Sequence, residues 1–451
     1  MAQVLTEQAL INEAKLQQAI TDGDLALAEE LVNEDLGPAE VADVIESTPP
    51  RQREQIWSLL QDSMRTAVLP YLPESLQTDY LAMMTPQAIA DGAAGIDSDD
   101  LVDVIKRLPD DISLQVLDAL NDIDRVEIEP LLQYPEDVAG GLMTTDYVTV
   151  RANVSVDVVL RYLRALGELS SDLDALFVIN RSGQYIGKLP LTMILTAQPE
   201  AMVREIMLDA EAIPADMPES DVALLFEQQD WISAPVVNQD NLLIGRITVD
   251  DVVDVIRESG EHSLLSMAGL DEEADTFEHV IPAAKSRAVW LGINLVTAVI
   301  AAAVIGQFQG TIQQLVALAV LSPIVASMGG VAGSQTLTLV IRALAVGQIN
   351  SKNIPWLLLR EAGVGSLNGL LWGVLIGAGT YLWQQDILLA AVICTATFTN
   401  LLVAKLSGAV LPIMLQKLGI DPALSGSVVL TTVTDVIGFL SFLGLATLVL
   451  L

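Results

Sequence analysis

Beyond Pro282 the apolar residues stop alternating with polar ones and run together. A hydrocarbon layer of ~30 Å needs ~20 helical residues, and stretches of that length occur at 288–308, 314–344, 354–383, 387–416 and 426–450. Five membrane-spanning helices are expected. Upstream the pattern is periodic. Over residues 5–132 apolar positions recur at three- and four-residue spacing, as at Leu101, Val102, Ile105 and Leu108, and Pro49-Pro50, Pro70, Pro73, Pro86 and Pro109 break the runs. Short packed helices follow from that spacing. From Tyr134 a strand-like texture sets in, and a unit repeats at about 60 residues. Residues 147–150, a helix near 155–166, 175–180 and 185–187 are echoed by 212–214, a helix near 219–229, 233–238 and 243–245. The expected fold class is a multidomain membrane protein with an all-α superhelical N-terminal module, a tandem α/β pair and a C-terminal all-α bundle of five transmembrane helices. The expected boundaries are 1–132, 133–197, 198–260, a connecting helix 261–281, and 282–451.

Charge divides the chain at the same place. Of 58 Asp and Glu, 54 lie in residues 1–280 against 15 Lys and Arg, which leaves −39; the remainder holds only Glu361, Asp386, Asp421 and Asp435 against seven Lys and Arg. Such a field repels nucleic acid and anionic headgroups and draws small cations, so nucleic acid is excluded as a partner. The abundance of Leu, Val, Ile and Ala excludes disorder. The single cysteine, Cys394, cannot form an intrachain disulfide, and the first 30 residues lack a basic region followed by an apolar stretch, so no cleaved signal peptide is expected. Lys285 and Arg287 precede the first apolar run, Arg342, Lys352 and Arg360 surround the loop after the second, and Lys417 lies after the fourth. Positive residues on alternate loops place the acidic half in the cytosol and the C-terminus outside.

Polar groups inside the apolar runs carry the candidate chemistry. In the second run, Pro323, Gly329, Gly330, Gly333 and Gln335 suit either a pore wall or tight helix packing around a kink. In the fifth, Thr431, Thr432 and Thr434 precede Asp435, with Ser427 two turns before and Gly438 three residues after. An ionised group at that depth costs at least ~2.5–3.5 kcal/mol. A permeating cation, a proton or Lys405 of the fourth run could compensate it, and the cation is preferred. Asp421 before Pro422 reads as a helix cap or a cation ligand, and Glu361 beside Arg360 as a juxtamembrane ion pair or a pathway group.

In the soluble half, Asp250 is followed by Asp251, Asp254, Glu258 and Glu261 at helical spacings of three and four, which align several carboxylates along one helix face, and Asp97, Asp99, Asp100 and Asp103 form a second cluster. Each reads as a solvated face or as a divalent-cation site. The repeated unit resembles tandem cystathionine β-synthase (CBS) domains. The second unit contains Gly245-Arg-Ile-Thr248-Val-Asp-Asp251, similar to the turn that holds a nucleotide ribose in that family; the first has Pro190 and Met193 at the matching places. ATP is therefore a candidate ligand, with Thr248 and Asp251 as its contacts.

The order of parts resembles the MgtE-type magnesium channel and transporter family over essentially the whole length. Ala139-Gly140-Gly141-Leu142-Met143, Ser334-Gln335-Thr336-Leu337 with Arg342-Ala343-Leu344-Ala345, Glu361 with Gly363 and Gly365, Asp421-Pro422-Ala423, and Asp435 with Gly438 carry the resemblance. It implies a homodimer in the bacterial inner membrane that admits Mg²⁺ down its electrochemical gradient. Asp435 from each chain would face the hydrated ion, and cytosolic Mg²⁺ bound to the acidic domains would close the pore. Two aspartates suit Mg²⁺, which sheds its waters reluctantly. The chain departs from the family at Val331, where Asn often stands, at Ser427-Val428 in place of Asn-Pro, and at Glu261-His262-Ser263 in place of Thr-Glu-Asp. Alternatives are a transporter of broader divalent range, including Co²⁺ and Mn²⁺, and a membrane-anchored nucleotide sensor. An intramembrane aspartyl protease using Asp421 and Asp435 lacks its Gly-x-Gly-Asp motif, no phosphate loop is present, and other catalytic sets are scarce, so no enzyme is expected.

Overall fold

The structure is a computed structural model that describes all residues except 1, 94–95, 168, 171–172, 210, 271–274 and 351, with the side chains of 2–10 also outside the description. The chain forms two compact units, Met1–Gly260 with Asp275–Glu278, and Glu261–Ala274 with His279–Leu451.

The first unit opens with short helices from Ala2–Asp22 to Asp122–Ile128. Pro38, Pro50 and Pro86 each stand in a first helical turn, where the missing N–H leaves no bond unmade. Their apolar faces form a core that continues into the α/β pair through Ala139, Met143, Ile213 and Val222. Trp57 and Tyr80 stack at 4.1 Å. Beside them Arg53, only 4% exposed, donates to the carbonyls of Ile45 and Glu46, both at 2.8 Å. Its remaining donors grip both carboxylate oxygens of Asp275, and its guanidinium lies 5.8 Å from the Phe277 ring centre. Arg53→Ala would strand a part-buried carboxylate. It should destabilise this unit by about 3–5 kcal/mol, read as a lowered unfolding midpoint and faster cleavage at residues 275–278.

The two α/β repeats have the same topology. Thr149–Arg151 pairs parallel with Ala175–Ile179, which pairs antiparallel with Tyr185–Pro190; Ile213–Pro214, Ser233–Val237 and Leu243–Thr248 repeat this. Asn180 and Asn238 build the same turn in each, accepting from the N–H of Ser182 and Gln184 and of Asp240 and Leu242. The helix after the second repeat, Val249–Met267, is continuous with the connector. It stops where Gly269 takes φ +71° and Leu270 N–H reaches Leu265 O at 3.0 Å, so the connecting helix ends well short of residue 281.

Among the described residues the second unit contains five helices long and apolar enough to cross a membrane: Val280–Gln307, Ala317–Ala345, Ile354–Gln384, Ile387–Lys417 and Pro422–Leu450, here spans one to five. Span one starts earlier than expected, and Gln309–Gln314 is a separate short helix, because the backbone leaves helical geometry at Phe308 (φ −104°, ψ 15°) and again at Leu315 (φ −134°, ψ 87°). Span three presents Gly365, Gly369, Gly373 and Gly377, all buried, to span four. A Cβ on Gly373 would stand 2.8 Å from Cys394 O, and one on Gly377 3.0 Å from Ala390 O, so the two backbones touch along this edge. Gly373→Val should destabilise the bundle by about 1–3 kcal/mol, measurable as a lower midpoint in detergent.

Candidate functional site

The acidic residues of the soluble unit converge because one threonine bridges two elements. Thr144 exchanges backbone hydrogen bonds with Arg246 (2.8 and 3.0 Å), and its hydroxyl lies 3.0 Å from that of Ser98 at the start of helix Ser98–Lys106. That helix start is thereby set beside the end of strand Leu243–Thr248, where helix Val249–Met267 begins. Asp97, Asp99 and Asp100 come together with Asp251, and Asp254 is near enough to act on Asp100. Burial, and then the charge of Asp251, pushes Asp100 up to about 7 and Asp99 well above the carboxylate range. Burial also raises Asp103 and Asp251 to about 6 each, with Glu136 adding to the effect at Asp103 and Asp250 at Asp251. Lys106 is 3.8 Å from Asp103.

Asp250, Asp254 and Glu258 are exposed, and Glu261 is exposed in the other unit. Tyr71, which no motif marks, lies within reach of Asp97, Asp100, Asp250 and Asp254. Among the described residues no three His, Cys, Asp or Glu side chains meet at one metal-sized point. The cluster is a diffuse negative field rather than a preformed cage. Thr248 and Asp251 cap the following helix: the Thr248 hydroxyl and N–H both donate to Asp251 Oδ2, at 2.6 and 3.1 Å. The groups that a ribose would use are therefore hydrogen-bonded to each other.

The four membrane-half carboxylates have different fates. Asp386 accepts from Leu388 and Leu389 N–H at 2.8 and 3.2 Å and caps span four. Asp421 accepts from Ala423 and Leu424 N–H at 2.9 and 3.0 Å, which is the capping role, and His262 Nε2 lies 3.3 Å from it. Glu361 is 3% exposed, with one oxygen 2.7 Å from Arg360 Nη1 and the other accepting from Thr336 at 2.9 Å. Lys405 donates to Gln335 at 3.1 Å, and no ion pair joins it to Asp435 among the described residues. Asp435 is half-buried and has no protein hydrogen bond or ion pair among the described residues.

Around Asp435, Thr431 is exposed and returns its hydroxyl to Ser427 O at 2.9 Å, and Thr434 is fully buried. Gly330 faces open space. Gly329 does not: the side chain of Asn400 fills the position its Cβ would take. Asn400, which sequence patterning did not single out, is fully buried in span four and donates from Nδ2 to Val325 O of span two at 2.8 Å. A buried amide in a run of apolar residues was the available signal.

Comparison with known proteins agrees with this arrangement. The family described as MgtE, divalent cation transporter, matches residues 322–445, the MgtE intracellular N domain matches 36–137, and CBS domains match 137–200 and 203–258. The magnesium transporter MgtE of Bacillus subtilis is 31% identical over 451 residues, covering 99% of each chain. That of Thermus thermophilus is 32% identical over 441 residues, covering 96% of this chain and 98% of the other. A crystal structure of the cytosolic domain of the Mg²⁺ channel MgtE in complex with ATP is 31% identical, covers 54% of this chain and 99% of that one, and has a TM-score of 0.48. With 31–32% identity over nearly the whole length of these relatives, and with family models matching its membrane, N-terminal and CBS parts, the chain belongs to the MgtE family of magnesium transporters.

Proposed function

We propose that the protein carries Mg²⁺ across the bacterial inner membrane into the cytosol, as a homodimer in which Asp435 of each chain faces the passing ion. The observation that carries this reading is the unmet carboxylate of Asp435, when Asp386 and Asp421 cap helices and Glu361 is held by Arg360 and Thr336. A charged group without a protein partner at membrane depth calls for a mobile cation. Ser427 and Thr431 precede Asp435 by two turns and one turn on the same helix, and Gly330, open on its side of span two, is a further candidate lining; Glu361, Asp421 and Gly329 act as supports. Positive residues in alternate loops put the acidic unit in the cytosol. There Asp97, Asp99, Asp100, Asp103, Asp250, Asp251, Asp254, Glu258 and Glu261 sense Mg²⁺ as a field that neutralises on binding. A negative-inside potential favours entry of a divalent ion by about 4.6 kcal/mol per 100 mV, so no ATP motor is required.

Flux into proteoliposomes tests the reading. Mg²⁺ entry should follow an imposed inside-negative potential and be suppressed by Mg²⁺ on the acidic side, with Ca²⁺, Mn²⁺ and Co²⁺ run in parallel to set the preference. Potential-independent flux would refute passive entry. ATP at the CBS pair is a second reading, carried by the Thr248–Asp251 turn. Titration of the full chain should show binding that Asp251→Ala removes.

A further inference from the structure

We infer that Asn400 is a positioning residue for the ion pathway, an amide pin that sets the depth and rotation of span five at Asp435. The inference rests on the proposed pathway role of Asp435. Asn400 is gripped by three helices. It lies in span four, donates to Val325 O of span two at 2.8 Å, and packs against two glycines, one on each neighbouring span. On span two the glycine is Gly329, where a Cβ would overlap the amide nitrogen. On span five it is Gly438, where a Cβ would stand 2.9 Å from Nδ2 and 3.3 Å from Cγ. Gly438 follows Asp435 by three residues, less than one helical turn. Any sliding or turning of span five at this level would break the fit of Gly438 over the amide.

Stability does not account for the amide. Asn400 Oδ1 is buried and has no hydrogen-bond partner among the described residues, and an unmet buried acceptor is unfavourable. Val325 O is a helix carbonyl, so Nδ2 adds a second donor to an acceptor that its own helix can already serve. A leucine of similar outline would avoid the unmet oxygen. What only the amide supplies is a directed bond from span four to span two while its atoms pack against Gly438 of span five.

The experiment is a set of Mg²⁺ flux curves on the full chain in proteoliposomes, each paired with a thermal midpoint in detergent. Misplacement of a reacting group by ~1 Å lowers rates by up to ~100-fold. Asn400→Leu is expected to keep the midpoint and to raise the half-saturating Mg²⁺ concentration by about tenfold. A merely structural residue would lower the midpoint and the amount of active protein together and leave half-saturation unchanged; that result, or wild-type flux, overturns the inference. Should Asn400→Leu fail to fold, the Gly438 pair decides. Gly438→Ala pushes the amide off Val325 O, so alone it should raise half-saturation, and in the Asn400→Ser background it should add less than about twofold. Equal effects in both backgrounds refute the pin. Asp435→Asn is the control that separates the two readings: wild-type flux there removes the pathway assignment itself, whereas a dead Asp435→Asn beside a normal Asn400→Leu removes only the pin.

Discussion

Asp435→Asn is expected to abolish most Mg²⁺ flux while leaving the folded protein as stable as wild type or more so. The two effects have opposite signs because they have different origins. An ionised carboxylate without a partner inside the membrane opposes folding by at least ~2.5–3.5 kcal/mol on the insertion scale, and asparagine removes that charge. In the proposed pathway the same charge would hold the waters of a passing Mg²⁺ through charge-assisted hydrogen bonds worth about 1.5–3 kcal/mol each, so losing them should cost roughly 10- to 100-fold in flux, and more if two subunits contribute. Growth of a magnesium-auxotrophic strain and the midpoint of purified protein are the two measurements. Growth equal to wild type would refute the assignment. A lower midpoint would mean that Asp435 has a structural partner. Lys405→Met, by contrast, should behave independently of Asp435, since Lys405 is bonded to Gln335.

Magnesium should stabilise the acidic unit, and more at alkaline pH than at acid pH. In the folded chain Asp100 is raised to about 7, and Asp103 and Asp251 to about 6, from 3.8. Between those values the folded state holds protons that the unfolded chain has released, so stability is greatest near the lower limit and falls as pH rises through the folded values. The shift of Asp100 alone corresponds to about 4 kcal/mol lost by the alkaline end. A divalent cation bound among these carboxylates, as proposed, would replace the missing protons. With millimolar Mg²⁺ the unfolding midpoint of the soluble unit in the full chain should rise strongly at about pH 8 and little at about pH 5, with matching protection from protease. Asp100→Asn should raise the midpoint at the higher pH without Mg²⁺ and reduce the gain on adding it. Equal midpoints with Mg²⁺ and with chelator at both pH values would leave the cluster without a sensing role.

Much of this was legible in the residue pattern. The helical module, the duplicated α/β unit and the five spans follow from hydrophobic period and run length, because those depend only on neighbours a few residues apart. Span one began earlier than its apolar run, and the connecting helix ended at Met267, just before Gly269, since a glycine at positive φ ends a helix whatever the hydropathy around it. The capping of Asp421 by its own downstream N–H groups could be read from Asp-Pro spacing. The embrace of Glu361 by Thr336 of another span could not.

What the sequence alone determined is the inventory: two materials, one acidic and one apolar, four carboxylates in the second, and Asp435 as the one set deepest among hydroxyls. Tertiary structure decided which of those groups are spoken for. It joined Asp97, Asp99 and Asp100 to Asp251 through the Ser98–Thr144–Arg246 bridge, gave Lys405 to Gln335, and set Asn400 between Gly329 and Gly438. Charge and hydropathy are properties of a residue and its neighbours in the chain. Whether a buried polar atom has a partner depends on distances of about 3 Å between distant segments, which only packing sets.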